Sequence, residues 1–284
     1  MCYYNGQKVK TGEKIRLLQL EKAIVDGDFL NRVLVDGFNY GNHAILKPQP
    51  GKEDFDIVQS EWGFIPAWMK SEEDLVHFRR GGINLTTGKY DKPFTTLNAI
   101  GEEVLDKAIY KDAARERRCL IISSGFYEWR HIYPVGKKGQ VLKTAIKYPY
   151  YITLPEKQYF YMAGIWNPWH GRDSSAIMTA AGNELMTHVH NAKNRMPTIL
   201  TEELAYEWMF GNFDDKRLIE IASTRHNYEE MYAYPLAKDF LSGYDPLLKV
   251  NHPDLPPIPL AKYIKEYEQL LMNEGDLKQG NLFG

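Results

Sequence analysis

The sequence predicts an α+β fold with one main domain, on three observations. Apolar runs rich in β-branched and aromatic residues recur along the chain, mostly without alternation, as buried strands do. Other stretches carry helical apolar spacing, two of them behind a threonine suited to capping. A Pro-rich link near residue 250 sets off one last amphipathic stretch. The expected division is a domain over 1–245, followed by the link and an appended helix over 246–284.

Taken in order, "TGEKIRLLQLEKAIVDG" (11–27) reads as an amphipathic helix capped by Thr11. "FDIVQSEW" reads as a strand leading into the loop "GFIPAWMK" (63–70). "RCLIISSGFYEW" reads as a strand, a Ser-Ser-Gly bend and a second extended piece. "YPYYITL", "YFYMAGIW" and "SSAIMTAA" are three further strands. "TEELAYEWMF" is a helix with Thr201 as N-cap, acids in its first turn and Gly211 beyond its end. After "HPDLPPIP" (252–259), Leu260, Tyr263, Ile264, Tyr267 and Leu271 mark the last helix.

The 284 residues are enough to bury a sizeable core, and 44% apolar with 25% charged residues is an ordinary globular composition. No apolar run approaches the length of a membrane span. No basic and apolar leader is evident, so a cytoplasmic location is expected. Two cysteines cannot build a disulfide framework, which agrees with a reducing compartment. A net charge of −2 leaves nucleic-acid binding to local patches. "HFRRGG" (77–82) and "RERR" (115–118) are candidate phosphate contacts, with a solvated face as the plain alternative.

One of the two cysteines directly follows Met1. Once Met1 is removed, Cys2 carries a free amine beside its thiol. Such a 1,2-aminothiol condenses with an aldehyde to a Schiff base, and the thiol then closes a thiazolidine on the same carbon. Cys119, with an amide nitrogen, cannot. Both groups titrate near neutrality, at about 8 for the amine and about 8.5 for the thiol. The plain alternative is an unremarkable second residue.

Four stretches could serve such chemistry. In "GFYEWR" (125–130), an extended chain sets Glu128 and Phe126 on one side and Tyr127 and Trp129 on the other. A carboxyl on an apolar face has its pKa raised and suits general acid–base work; an edge glutamate in water is the alternative. "TTLNAIGEE" (95–103) offers Asn98, an amide that both donates and accepts. "THVHNAKNRMP" (187–197) offers His188 and His190, which share a face if extended, and Arg195. In "EWGFIPAWM" (61–69), Trp62 and Trp68 flank Pro66 and could stack on unpaired bases, or be core. No CxxC or HExxH spacing occurs, so no metal site and no cofactor are expected.

These stretches, in this order, resemble the SRAP (SOS-response-associated peptidase) family of abasic-site processing proteins. The resemblance runs from Cys2 to about residue 240 through "WGFIPAW", Asn98-Ala99 with Glu102, "RRCLI", "GFYEW", "AGIW", "TAA", and His190 ahead of "RMP". It implies a β-rich, barrel-like centre flanked by helices and a basic cleft for single-stranded DNA. It implies crosslinking to abasic sites through the N-terminal cysteine, self-removal of Met1 and a possible lyase step. The implied partner is DNA with abasic sites, especially at single-strand/double-strand junctions, met by a monomer in the cytoplasm or at a bacterial nucleoid. By the same resemblance Cys2 is the nucleophile, Asn98 positions the terminus or sugar, Glu128 is the general acid/base, and His190 assists Schiff-base formation and release. Thr179 lines the pocket, Arg195 binds a phosphate, and Trp62 and Trp68 stack near the junction.

The sequence departs from the family pattern at three places. Tyr3-Tyr4 stands for Gly-Arg, Ile100 for an arginine, and four residues rather than one separate His190 from Arg195. Lys89, Lys92 or Lys107 are candidates to replace the lost cations. Two readings outside this chemistry are an N-terminal-nucleophile amidohydrolase using Cys2, and a non-catalytic single-strand binder.

Overall fold

The computed structural model describes residues 2–9, 12–24 and 28–269. Its first half contains strands β1 (Tyr4–Lys8), β2 (Lys14–Leu17), β3 (Leu20–Ala23), β4 (Asn31–Asp36), β5 (Asn42–Pro48) and β6 (Phe55–Trp62), then helix α1 (Glu72–Arg80), β7 (Gly82–Ile83), β8 (Tyr90–Asp91) and β9 (Asn98–Ile100). Helix α2 (Lys111–Glu116) precedes β10 (Arg118–Ser123), β11 (Gly125–Ile132), β12 (Ile146–Thr153), β13 (Phe160–Trp169) and β14 (Arg172–Ala181). Helix α3 (Glu184–Val189), β15 (Arg195–Pro197), β16 (Ile199–Leu200), α4 (Glu202–Phe210), α5 (Asp215–Ala222) and β17 (Tyr232–Pro235) follow, and 261–269 is helical. Segregated sheets and helices make this an α+β fold.

Strands β14, β6, β5, β10 and β13 pair in that order, and β13 pairs back onto β14, so five strands close a barrel. All these pairings are antiparallel except β14 with β6, which is parallel through Ser174↔Glu61 and Ser175↔Trp62. Closure removes free edges. The short strands β15, β16 and β9 add to its rim, β9 running parallel to β14 with Asn98 opposite Ile177. A second sheet has the order β17-β12-β11-β1-β4.

The barrel strands are apolar on both faces, which is why they read as continuous runs. Ala44, Leu46, Leu120, Ile122, Ala163 and Met178 pack with α2, α4 and α5 through residues such as Ala113, Trp208 and Ile221. The alternate residues Ile45, Cys119, Ile121, Met162 and Ile177 pack instead with the second sheet and with Leu185 and Met186 of α3. Cys2 is buried in this second cluster. Polar stitches hold β1 there. The Gln7 amide donates to the carbonyls of Ala44 (2.9 Å) and Ile122 (3.0 Å) and accepts from the Ala44 N–H (2.9 Å). Asn5 donates to the Ile122 carbonyl (3.2 Å) and accepts from Ser123 Oγ (2.7 Å).

Most expected elements are present, and one is not. Residues 14–23 form the β2–β3 hairpin rather than a helix, with Leu17↔Leu20 closing a two-residue turn in which Leu18 adopts φ 51. The apolar positions fit both periods, and packing decided. Ile15 and Leu17 are buried at alternate positions, while Arg16 pairs across to Glu21 (2.7 Å). Thr11, the expected cap, lies outside the described residues. Helix α4 carries the expected cap, Thr201 accepting from the Leu204 N–H (3.3 Å). The segment after residue 250 packs on the second sheet. Arg130 donates to the carbonyls of Pro256 (2.7 Å) and Pro257 (3.2 Å), and Tyr263 is buried with its hydroxyl accepting from the Ala233 N–H (2.8 Å). Leu271 lies outside the described residues.

Most arginines of the two basic stretches are engaged by partners within the protein. Arg115 pairs with Asp215 (2.7 Å), Arg117 with Glu116 (2.8 Å), and Arg118 donates to the carbonyls of Trp208 and Gly211 (2.6 Å each). Arg79 is bound to Glu61 (2.5 Å) and to the Gly63 carbonyl (2.9 Å).

Gly101 follows β9 and passes so close to α5 that an added Cβ would strike the Ala222 backbone carbonyl. Because that obstacle is backbone, Gly101→Ala should lower stability by about 1–3 kcal/mol, read as a lower urea midpoint at unchanged slope. An unchanged midpoint would show that α5 is free to move.

Candidate active site

Four of the eight expected site residues meet at the open end of β11. Strand β1 pairs with β11 only through Tyr4↔Tyr127, Asn5↔Phe126 and Gly6↔Gly125. From Glu128 onward that edge of β11 has no β1 partner, and the chain start lies beside it. Alternation along β11 turns Phe126 and Glu128 toward the Cys2 cluster, while Tyr127 and Trp129 pack with Tyr4 and Phe240. Asn98, on β9, donates from Nδ2 to the Cys2 carbonyl (2.9 Å). The Cys2 thiol is fully buried and is 3.5 Å from the Tyr4 carbonyl. Burial pushes its pKa well up, with the Glu128 charge adding to the effect.

His190 is the C-cap of α3, whose N-cap Asn183 accepts from the Met186 N–H (3.0 Å). Because α3 is helical, His188 and His190 do not share an extended face, and His190 alone reaches Glu128. His190 Nδ1 lies 2.8 Å from the Arg195 carbonyl, which can only accept, so Nδ1 carries the hydrogen. Nε2 is left facing Glu128 Oε2 at 3.5 Å. Desolvation raises Glu128 to about 8 and lowers His190 to about 4. At neutral pH the carboxyl therefore holds a proton and the imidazole Nε2 a lone pair.

Tyr3, Glu128, Trp129, Lys147, His190 and Lys193 line a cavity of about 270 Å³ here. It sets a buried acid–base pair close to the buried Cys2 thiol. Among the described residues no group of three or more histidine, cysteine, aspartate or glutamate side chains could hold a metal ion. No helix among them is long and apolar enough to cross a membrane.

The other expected residues are placed differently. Arg195 is held by Glu102 (3.1 and 2.8 Å) and donates to the Thr179 carbonyl (2.5 Å) and hydroxyl (3.2 Å). Thr179 itself is fully buried, so these two brace the His190 wall. Trp62 is also fully buried, its ring stacked on His43 and its N–H donating to the Leu97 carbonyl (2.9 Å). It has no face to offer a base, and instead steadies the residue before Asn98. Trp68 is 58% exposed and packs edge-on against Phe78, in a separate cleft that includes Phe94. Sequence reasoning missed Gln7 and Tyr110, and saw the four residues after His190 only as a longer spacing. Tyr110 donates to the Asn98 carbonyl (3.3 Å).

The profile of the SOS response associated peptidase (SRAP) family matches residues 38–242. The chain belongs to that family. Relatives include the abasic site processing protein YoqW of Bacillus subtilis, 27% identical over 181 residues, which are 62% of this chain and 67% of YoqW. The abasic site processing protein HMCES of Xenopus tropicalis is 24% identical over 207 residues, 64% of this chain and 52% of HMCES. The crystal structure of a protein from Bacteroides thetaiotaomicron superposes with TM-score 0.63 at 25% identity, covering 85% of this chain and 95% of that one. A phage-related protein from Bordetella bronchiseptica shares the fold at TM-score 0.57 and 19% identity, covering 88% and 100%. Within the SRAP match lie Asn98, Glu128 and His190, while Cys2 precedes it.

The raised Glu128 pKa has a stability consequence. Its contribution is fully present below the unfolded value near 4.5 and is lost as pH rises through about 8. The lowered His190 value opposes this between about 4 and 6.5. Above 6.5 the Glu128 effect stands alone, so stability should fall by up to about 1.4 kcal/mol per pH unit. Glu128→Gln should flatten that fall, compared by urea midpoints at pH 6.5 and 8. Parallel declines in both proteins would mean that Glu128 is already ionised at neutral pH.

Proposed function

We propose that this SRAP protein processes abasic sites in DNA by crosslinking to them through Cys2 once Met1 has been removed. The observation that carries the reading is the meeting of two pairs, Cys2 held by Asn98 and Glu128 facing His190, with the second pair lining a cavity. The relatives named as abasic site processing proteins supply the substrate class.

In the proposed reaction the Cys2 amine attacks the aldehyde of the ring-opened deoxyribose. Glu128 gives its proton to the carbinol oxygen, which leaves as water and yields the imine. The thiol then adds to the imine carbon, its proton passing through the Glu128–His190 pair to nitrogen. Aldehyde and aminothiol have then lost one water and closed a thiazolidine. Asn98 fixes the Cys2 carbonyl and so limits the directions the amine and thiol can take. The same acid–base pair would serve the hydrolysis that removes Met1, and imine reversal would give the release or lyase step. The strand is taken as single-stranded, with Trp68 offering an exposed ring to a base near a duplex junction.

The test is a single-stranded oligonucleotide with one abasic site, run on a denaturing gel beside an intact-mass measurement of the protein. A shifted band with a protein mass lacking Met1 is expected. Cys2→Ala should abolish the thiazolidine adduct and Cys119→Ala should keep it; an unchanged adduct in the Cys2 variant would sink the mechanism. Glu128→Gln should slow crosslinking roughly 10²-fold. Wild-type protein that has lost Met1, binds the strand and still forms no adduct would make it a non-catalytic binder.

A further inference from the structure

We infer that Lys147 and Lys193 form a phosphodiester-binding pair in the wall of the Glu128–His190 cavity, holding the DNA backbone beside the lesion. The inference rests on the reading that this cavity takes an abasic strand, and it names residues that the family motifs do not carry.

Both lysines line the cavity that Glu128 and His190 line. Two separate pieces of structure bring them there, and both are anchored on His131. Lys147 lies directly across the β11–β12 ladder from His131. Lys193 sits in the turn between His190 and Arg195. That turn is clamped to the free edge of β11, because Asn191 accepts from the His131 N–H (2.9 Å) and donates to the His131 carbonyl (2.8 Å). The turn is closed by bonds from the Lys193 and Asn194 N–H groups to the His190 carbonyl (3.2 and 2.8 Å), with Asn194 at φ 51. The lengthened spacing between His190 and Arg195 thus forms a wall of the cavity and places a cation in it.

Charge bookkeeping singles out these two. Arg195, the cation expected to bind phosphate, is neutralised by Glu102. Arg130 is turned onto the Pro256 and Pro257 carbonyls. Among the described residues no carboxylate lies within ion-pair distance of Lys147 or Lys193, and both are exposed. Tyr3 and Trp129 are neutral neighbours in the same lining. Two uncommitted ammonium groups in a site for a polyanionic strand match phosphate oxygens, for which lysine serves as a point charge.

The test measures equilibrium binding of a single-stranded oligonucleotide bearing a tetrahydrofuran abasic analogue, which has no aldehyde and cannot crosslink, across a salt series. Each phosphate contact on a single strand contributes about 0.7 to the slope of log K against log salt. The Lys147→Ala/Lys193→Ala double variant should lower the slope by about 1.4, and Lys193→Arg should keep it. The control pair Lys111→Ala/Lys216→Ala, exposed and outside the cavity, should leave it unchanged. Reaction of the double variant with a small uncharged aldehyde should proceed at the wild-type rate, since the lysines act on the strand and not on the aminothiol. An unchanged slope in the double variant, with wild type binding and crosslinking normally, overturns this proposal alone. Wild-type protein that fails to bind the oligonucleotide overturns both it and the reading it rests on.

Discussion

The site depends on the register of β1, and that is set by two buried amides. Gln7 is sealed from water and satisfies its donor and acceptor on barrel backbone, while Asn5, two residues earlier, donates to the Ile122 carbonyl and accepts from the Ser123 hydroxyl. A buried amide left without those partners would be destabilising by about 1–3 kcal/mol, so the register of β1 against the barrel is strongly fixed. Sliding β1 by one residue would turn both amides to the wrong face. With the register fixed, Cys2 falls opposite the last stretch of β11, within reach of Asn98 and Glu128. Residues near a chain end are usually loose; here Cys2 is held by Asn98 and by the strand that follows it.

Closure of the barrel does the rest of the positioning. β14 pairs with β13 and β6 to complete the barrel and also carries β9 and β15. Asn98 comes from β9 and the Arg195 carbonyl that orients His190 comes from β15. One strand therefore sets both the amide that holds Cys2 and the acceptor that fixes the imidazole. Glu102 strengthens the connection by binding Arg195 and accepting from the Ala181 N–H (2.9 Å). Around this frame the site stays dry, so that a carboxyl and an imidazole stand 3.5 Å apart without either being charged at neutral pH.

Much of this was legible in the sequence, for physical reasons that differ by residue. Asn98 and Glu128 stand out as polar side chains, costly to bury unpaired, among apolar and aromatic neighbours, whereas Cys2 stands out by its place behind Met1 and His190 by its place ahead of "RMP". The barrel strands are legible as continuous apolar runs because both of their faces are covered. The hairpin at 14–23 is not, since its leucines satisfy a helical and an extended period equally and only packing chooses. Trp62 misleads because a tryptophan beside a loop looks the same whether its ring faces water or Leu97. Gln7 gives no local signal at all: its role is created by Ala44 and Ile122, distant in sequence. The short helices α2 and α3 have too few turns to show a period.

The complete burial of Cys2 also bears on how the protein survives between encounters with DNA. Oxidants such as peroxide attack thiolates that water can reach. A thiol held protonated, out of solvent and behind the Asn98–Cys2 bond presents them with little to react with. In the proposed reaction, selectivity for an aldehyde would begin with the amine, which is not oxidised so readily, and the sulfur would be recruited only after the carbon had been captured. Under that reading, burial of the thiol would act as chemical storage, keeping the group the reaction needs intact under the same oxidising conditions that damage DNA.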